Sequence, residues 1–222
     1  MLKLVIGNKN YSSWSMRPWV LMVHFGVDFE EHRIPLFTAD YKQQLSEHSP
    51  SMKVPVLWDG DLPIWDSLAI CEYVSEKLLQ GQALPKSMFQ RAQCRAYCAE
   101  MHGGFLQIRN QMPMNIRERR HIEIGPELAE EIARIEQLWL QARDANGDVG
   151  PYLFSSFSLA DAFFAPVVMR FITYGVELDP VCMQYMKTLS GNAAVQAWVE
   201  EAKKEKEVLP DYDLGELIRT GQ

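Results

Sequence analysis

The sequence has little of what marks metal-binding or nucleic-acid-binding proteins. Only four of its 222 residues are cysteine, and none of them forms a C-x-x-C pair or has a histidine at zinc-finger spacing. Positive charge is also scarce: 22 lysine and arginine residues face 29 acidic ones, and the net charge of -7 repels phosphates. We therefore expect no metal and no nucleic-acid partner.

Long apolar runs are missing as well. The apolar run at the N-terminus is too short for a signal peptide, and no window is apolar enough to span a membrane. The few thiols suit a reducing compartment. We therefore expect a cytoplasmic protein that binds no membrane. What the chain does have is a hydrophobic fraction of 47%, enough for a sizeable core, and a length that suits two domains.

The first third of the chain alternates between strand and helix patterns. Short β-branched runs are bounded by turn residues, and the segments between them have apolar residues at helical spacing. The predicted elements are, in order, a strand at 2–6, a helix from about 15 to 25, a strand at 29–34, a hairpin over 54–65 and a helix from 66 or 67 to about 79. This order predicts a mixed sheet of about four strands with helices packed on it.

The rest of the chain has helical patterns throughout. The most apolar segment, 157–174, should be the core helix of this part. The other predicted helices cover 89–110, 128–146, 181–189 and 193–208. We therefore expect an α/β domain at 1–79, a linker at 80–88, and an all-helical domain at 89–222.

Four short motifs resemble those of cytosolic glutathione transferases, in the family's order and spacing. They are SSWSMRPW from Ser12, Lys53-Val54-Pro55, Asp66-Ser67-Leu68-Ala69-Ile70 and the capping box Ser158-Leu159-Ala160-Asp161. The first resembles the Ser-Ser-x-Ser-x-Arg motif of the zeta- and theta-like branches. The resemblance covers essentially the whole chain. It implies a thioredoxin-like N-terminal domain, an all-α C-terminal bundle that carries the electrophile pocket, and a homodimer.

The serine motif suits the activation of a thiol. A hydroxyl group that donates a hydrogen bond to sulfur lowers the pKa of the thiol, and the N-terminus of a helix further favours the anion. When the motif is aligned on Arg17, the resemblance gives this catalytic role to Ser12. Ser13 and Tyr11 are rival donors, whereas Ser15 is better placed to cap the helix.

The other two N-terminal motifs imply how glutathione, the expected co-substrate, would bind. The resemblance implies a cis Val54-Pro55 bond, which would turn the backbone of Val54 outward to pair with the cysteinyl part. Lys53 would meet the glycine carboxylate. Ser67 and Asp66 would hold the carboxylate and the ammonium of the γ-glutamyl part. Simple helix capping is the competing role for this last pair.

The resemblance also implies where a hydrophobic electrophile would bind. The first helix of the second domain would face the glutathione site, so Met101, His102, Phe105 and Met112 are expected to line the pocket with Trp14. For Trp14, packing against the second domain is the competing role. For His102, the competing role is that of a histidine at the surface or at the edge of the core.

The predicted function is that of a glutathione transferase. The thiolate of bound glutathione would attack an electrophilic small molecule, either in a conjugation, as in detoxification, or in a glutathione-assisted isomerisation. Two alternatives stay open. One is a non-enzymatic scaffold protein of the same fold. The other is a glutathione-dependent reductase or peroxidase, which would need a reactive thiol near the first helix; Trp14 stands where a cysteine often follows the two serines.

Overall fold

The structure, a computed structural model, describes residues 1–218. Its strands are β1 (Leu2–Ile6), β2 (Glu30–Arg33), β3 (Val56–Asp59), β4 (Leu62–Ile64), β5 (Arg120–His121) and β6 (Glu216–Leu217). Its α-helices are α1 (Ser13–His24), α2 (Tyr41–His48), α3 (Ser67–Tyr73), α4 (Met88–Gly103), α5 (Leu106–Gln111), α6 (Pro126–Asn146), α7 (Leu159–Tyr174), α8 (Pro180–Ser190) and α9 (Ala193–Lys204). A π-helical turn, Val74–Leu78, continues α3.

The first part of the chain forms a four-stranded mixed sheet in the order β2-β1-β3-β4, as the sequence predicts. β1 is parallel to β2 and antiparallel to β3, and β3 and β4 form the hairpin. Alternate side chains of β1 point to opposite faces: Leu4 and Ile6 join the main core, whereas Val5 packs with Val56 on the other face. Both faces of the central strand are therefore buried.

The first helix begins two residues earlier than its apolar periodicity suggests. Ser12, not Ser15, is the N-cap, and its Oγ accepts a hydrogen bond of 3.4 Å from the N–H of Ser15. The Oγ of Ser15 instead accepts one of 3.1 Å from the N–H of Gly7. Polar residues of the first turn are buried here, so apolar periodicity does not mark the start of the helix.

The other departures from the predicted elements have local causes. α2 was not expected, because Leu45 is its one buried residue and no apolar stripe marks it. The helix expected over 89–110 is interrupted, since Phe105 adopts a left-handed conformation with φ of 61° between α4 and α5. α9 ends at Lys204, and Glu205 beyond it accepts hydrogen bonds from the N–H groups of Lys9 and Asn10.

The core helix of the second part is α7, as predicted from its composition. All of its residues except Ile172 are buried, and it packs against α1 and α4, so it joins the sheet to the helical bundle. Its N-terminus has the predicted capping box of Ser158 and Asp161. All four cysteines are free and buried. No helix within residues 1–218 is both long enough and apolar enough to cross a membrane.

Candidate functional site

Two adjoining depressions lie where α1 begins. The first, which we call the groove, has a volume of about 510 Å³ and is lined by Trp14, Ser51, Lys53, Val54, Pro55, Trp65, Asp66 and Ser67. The second, which we call the cleft, has a volume of about 420 Å³. Its wall includes Tyr11, Ser12, Ser13, Leu36, Phe37, Arg109, Arg170, Leu209 and Tyr212. Trp14, Lys53 and Val54 line both, so the groove and the cleft share a wall.

An unpaired backbone edge lies in the groove at Val54. The Val54-Pro55 peptide bond is cis, as the family resemblance implies. Within residues 1–218, neither the N–H nor the C=O of Val54 forms a hydrogen bond. The preceding residue is held by Ser49, whose Oγ donates to the C=O of Lys53 at 2.6 Å and accepts from its N–H at 3.1 Å. An extended peptide could pair with this edge as an added strand.

A short chain of hydrogen bonds forms the far end of the groove. Asp66 is the N-cap of α3: one carboxylate oxygen accepts from the N–H of Leu68 at 2.7 Å, and the other lies 3.1 Å from Nε2 of His102. Arg17 Nη1 donates to Ser67 Oγ at 3.3 Å and lies 3.4 Å from Nδ1 of His102. Because Arg17 can only donate, Nδ1 of His102 must accept and its Nε2–H must donate to Asp66.

His102 is therefore neutral in this arrangement. Burial is the main cause that lowers its pKa; the charge of Asp66 opposes this, whereas the charges of Arg17 and Arg109 add to it. Its ring also meets that of Trp14 edge to face, with centroids 5.2 Å apart. His102 thus contacts residues of the groove without lining it.

Arg17 is a fully buried cation without a carboxylate partner within residues 1–218. Its guanidinium lies between the rings of Trp14 and Phe163, at 4.3 and 4.6 Å from their centroids. Its Nε is buried and has no hydrogen-bond partner among those residues. Burial, followed by the charge of Arg109, lowers the pKa of Arg17 to about 9.

The two serines at the start of α1 are both buried in the cleft wall but differ in their hydrogen bonds. The Oγ–H of Ser12 donates to Ser15 Oγ at 2.8 Å. Ser13 Oγ accepts a hydrogen bond of 2.9 Å from Arg170 Nη2, and no acceptor for its own proton lies within residues 1–218. Ser13 thus has a hydroxyl proton that it can donate into the cleft, whereas Ser12 already donates its hydroxyl proton to Ser15.

The hydroxyl group of Tyr11 is held by the C-terminal segment. It donates to Asp213 Oδ1 at 3.2 Å and accepts from Arg117 Nη2 at 3.1 Å and from the N–H of Leu209 at 3.3 Å. Its ring lines the cleft, but both its proton and its lone pairs are engaged. Tyr11 thus contributes packing to this site.

The structure does not bring the expected apolar residues of α4 and α5 to the cleft. Met101, Phe105 and Met112 are buried in the main hydrophobic core, and only Trp14 of the expected set lines the cleft. The left-handed conformation of Phe105 turns the chain between α4 and α5, so Met112 does not continue the face of α4 that carries Met101. Apolar residues of the segment before and within α2 line the cleft instead, among them Leu36 and Phe37, together with Tyr212 near the C-terminus.

Two arginines lie in the cleft wall, and sequence reasoning missed one of them, Arg170. Arg170 lies on α7 and Arg109 on α5. The available signal for Arg170 was its position, since it is the one charged residue after Asp161 in an otherwise apolar core helix. For Arg109, the sequence leaves two alternatives of equal weight, a structural ion-pair partner and a ligand-binding residue. Within residues 1–218, no group of three or more side chains is arranged to bind a metal ion.

Comparisons with known proteins agree with this architecture. A family model described as the N-terminal domain of glutathione S-transferase matches residues 11–77, and one described as the C-terminal domain matches residues 125–201. A probable maleylacetoacetate isomerase of Caenorhabditis elegans is 25% identical over 170 residues, which is 76% of this chain and 79% of the relative. Glutathione S-transferase 1 of Dianthus caryophyllus is 26% identical over 201 residues, which is 85% of this chain and 86% of the relative.

Solved structures share the fold. A glutathione transferase homologue from Burkholderia GL BGR1, solved with bound glutathione, superposes with a TM-score of 0.67 at 22% identity, covering 92% of this chain and 99% of that one. A tau class glutathione S-transferase from mango, Mangifera indica, has the same TM-score at 19% identity, and the superposition covers 91% of this chain and 96% of that one. The two family models together span well over half of the sequence. The chain therefore belongs to the glutathione S-transferase family.

Proposed function

We propose that this protein is a glutathione transferase that binds glutathione in the groove and presents its sulfur to an electrophile in the cleft. The observation that carries the proposal is the free backbone edge of Val54, a residue that lines the groove together with Ser67 and the cleft together with Ser13. A γ-glutamyl tripeptide paired with this edge would have its terminal carboxylate near Ser67 and its sulfur near α1. Asp66 would attract the ammonium, and Lys53 the glycine carboxylate.

Ser13 is the proposed donor to the sulfur. Its hydroxyl proton is free, and Arg170, by donating to its Oγ, leaves that proton to point elsewhere. The N–H of Trp14 in the first helical turn also has no partner within residues 1–218. Two donors and the positive end of the helix would favour the thiolate over the thiol, which lowers the pKa of the bound sulfur.

The chemistry begins with loss of the thiol proton to solvent. The sulfur then forms an S–C bond to an electrophilic carbon. In a substitution, the bond to the leaving group breaks and its electron pair departs with that group. In an addition to an activated double bond, the electron pair moves to the activating carbonyl oxygen, and the product takes up one proton. A glutathione-assisted isomerisation would begin with the same addition and later expel the thiolate.

The reductase alternative is disfavoured by the thiols of the chain. All four cysteines are buried, and burial is the main cause that raises the pKa of Cys71, Cys98 and Cys182. None of the cysteines is on α1. The scaffold alternative predicts that the protein does not bind glutathione. The free backbone edge of Val54 in the groove counts against this alternative.

The experiment is a calorimetric titration with glutathione, combined with the ultraviolet absorbance of the thiolate in the complex as a function of pH. We expect saturable binding and a pKa of the bound thiol well below that of free glutathione. S-methylglutathione, which has no ionisable thiol, is the control: it should bind but give no thiolate signal. Absence of binding would support the scaffold, and binding with an unshifted thiol pKa would exclude activation by α1.

We also propose a homodimer in the cytoplasm. Met88 and Phe89 at the start of α4 are 82% and 84% exposed, and Leu62 and Trp65 near β4 are about half exposed. Large apolar side chains exposed to this extent support a contact with a second copy. The cysteines are free, which suits a reducing compartment.

A further inference from the structure

A histidine of the helical bundle connects the two residues proposed to bind the γ-glutamyl part of glutathione. Asp66 and Ser67 lie at the start of α3, in the first part of the chain, whereas His102 lies near the end of α4. Nε2 of His102 is 3.1 Å from the carboxylate of Asp66. Nδ1 of His102 is 3.4 Å from Nη1 of Arg17, and the same Nη1 donates to Ser67 Oγ at 3.3 Å. His102 thus contacts Asp66 directly and Ser67 through Arg17.

Neutral His102 gives the groove both groups that a γ-glutamyl ligand needs. With the proton of the imidazole on Nε2, its Nδ1 accepts from Arg17 and its Nε2–H donates to Asp66. Arg17 also donates to Ser67 Oγ, and no acceptor for the hydroxyl proton of Ser67 lies within residues 1–218. Asp66 and Ser67 both line the groove. The groove therefore presents a carboxylate to the ammonium of the ligand and a hydroxyl donor to its carboxylate.

A second proton on His102 is incompatible with these contacts. It would occupy Nδ1, the atom that accepts from Arg17, so two N–H groups and two positive charges would face each other across 3.4 Å. The hydrogen bond between His102 and Arg17 is then lost, and one of the two side chains has to move. The imidazolium would also pair with Asp66 as a full cation. It would therefore compete with the ammonium of the ligand for that carboxylate.

The charged groups that act on His102 come from three elements. Asp66 at the start of α3 favours protonation of the imidazole, whereas Arg17 of α1 and Arg109 of α5 oppose it. Burial is the largest cause, and with the two arginines it outweighs Asp66, so the pKa of His102 lies below its ordinary value. Arg17 remains charged where His102 titrates, since its own pKa is about 9. His102 is thus neutral at neutral pH and gains its second proton in acidic solution.

We propose that His102 is a positioning residue that makes the affinity for glutathione depend on pH. Neutral His102 keeps Asp66 and Arg17 in the arrangement that receives the γ-glutamyl part, and protonated His102 disrupts that arrangement. The inference rests on the proposed function and adds a regulation of the same groove. His102 does not line the groove, so it acts through Asp66 and Arg17 and not on the ligand itself. The protein should therefore bind glutathione tightly at neutral pH and more weakly in acidic solution.

The test measures the affinity for S-methylglutathione by calorimetry from about pH 8 to about pH 5. This ligand has no ionisable thiol, so titration of the sulfur does not contribute to the pH dependence. In wild type, we expect Kd to rise about tenfold as the pH falls, as the loss of a charged hydrogen bond predicts. In His102→Gln, Kd should stay constant over the same range, because the amide offers a donor and an acceptor but does not titrate.

The matched control is His121→Gln, the same substitution at an exposed histidine of β5 that lines neither the groove nor the cleft. Its Kd should rise with falling pH as that of wild type does. A wild type that binds with the same Kd at every pH overturns the role of His102 but leaves the proposed function intact. So does a rise in His102→Gln equal to that in wild type, because another group would then titrate. Absence of binding at every pH overturns the proposed function as well.

A second measurement follows the imidazole of His102 itself. The chain has five histidines, and the ring signal that is missing from the NMR spectrum of His102→Gln belongs to His102. In the free wild type, this signal should titrate below the ordinary pKa of histidine, about 6.5. Because ligand binding and protonation oppose each other, saturating S-methylglutathione should lower the pKa of His102 further, by about one for a tenfold effect on Kd. A pKa that is unchanged or raised by the ligand overturns the proposal.

Discussion

Arg170 on α7 donates a hydrogen bond of 2.9 Å to Ser13 on α1, across 157 residues of sequence. The same guanidinium also donates a hydrogen bond to the C=O of Met112. One side chain of the helical bundle thus fixes the first turn of the helix that would activate the thiol. Because Arg170 can only donate, it occupies one lone pair of Ser13 Oγ, and the hydroxyl proton of Ser13 stays available.

Ser13 and Ser12 should have separable roles. We expect Ser13→Ala to raise the pKa of the bound glutathione thiol by about one, because a hydrogen bond to the charged sulfur is lost. Ser12→Ala should leave that pKa unchanged and lower the free energy of unfolding by about 1 kcal/mol, as the loss of an N-cap predicts. Thiolate absorbance against pH and urea unfolding measure the two effects. The opposite pattern would restore the role to Ser12, as the family motif implies.

The charge of Asp66 should matter for glutathione affinity. Asp66→Asn keeps an N-cap residue for α3 but removes the charge that would pair with the γ-glutamyl ammonium. We expect Kd for glutathione to rise about tenfold. The melting temperature should fall only slightly, because asparagine keeps the cap but its amide nitrogen cannot accept from Nε2–H of His102. Asp61→Asn in the turn of the hairpin is the matched control and should bind as wild type does. Equal affinity in Asp66→Asn and wild type would mean that Asp66 only caps the helix.

Asp161 should make stability depend on pH. Its carboxylate accepts from the N–H groups of Leu153 and Ser158 and from the hydroxyl groups of Ser158 and Tyr185. Burial outweighs these bonds and raises its pKa to about 6. Because the folded state then holds the proton more tightly than the unfolded state, the contribution of Asp161 to stability is full below pH 4. It falls as the pH rises to about 6.

The measurement compares the free energy of unfolding of wild type and Asp161→Asn between pH 4 and pH 7. Asparagine does not titrate, so the difference isolates Asp161. We expect the variant to be less stable throughout, since its amide cannot accept from all four donors. The difference in free energy of unfolding between wild type and variant should narrow by on the order of 2 to 3 kcal/mol as the pH rises. A difference that grows with pH would mean that the hydrogen bonds to Asp161 lower its pKa by more than burial raises it.

Phe89 should contribute to the proposed dimer. Placing a charge there would leave it desolvated in an apolar contact, so Phe89→Asp should shift the protein from dimer to monomer. Sedimentation velocity over a range of concentrations measures this shift. Val149→Asp, at a residue that is 78% exposed elsewhere on the chain, is the control and should stay dimeric. A wild type that sediments as a monomer at all concentrations would refute the dimer.

Much of the fold was readable from local sequence. The β-branched run of β1, the turn of the hairpin and the apolar face of α6 each act over a few residues, so their pattern predicts the element. The family resemblance added the cis bond at Val54-Pro55, which the structure confirms. Interruptions such as that at Phe105 escaped prediction, because an apolar pattern continues across them while the backbone conformation does not.

The sequence by itself determined which groups are available: hydroxyls before a helix, a free edge beside a proline, and the order of sheet and bundle. Only the tertiary structure decided which of them face the site. It engaged the hydroxyl of Tyr11 with Asp213, directed Arg170 to Ser13 and buried Met112 in the core. Each of these depends on packing between segments far apart in the chain, and residue type and spacing contain no record of that packing.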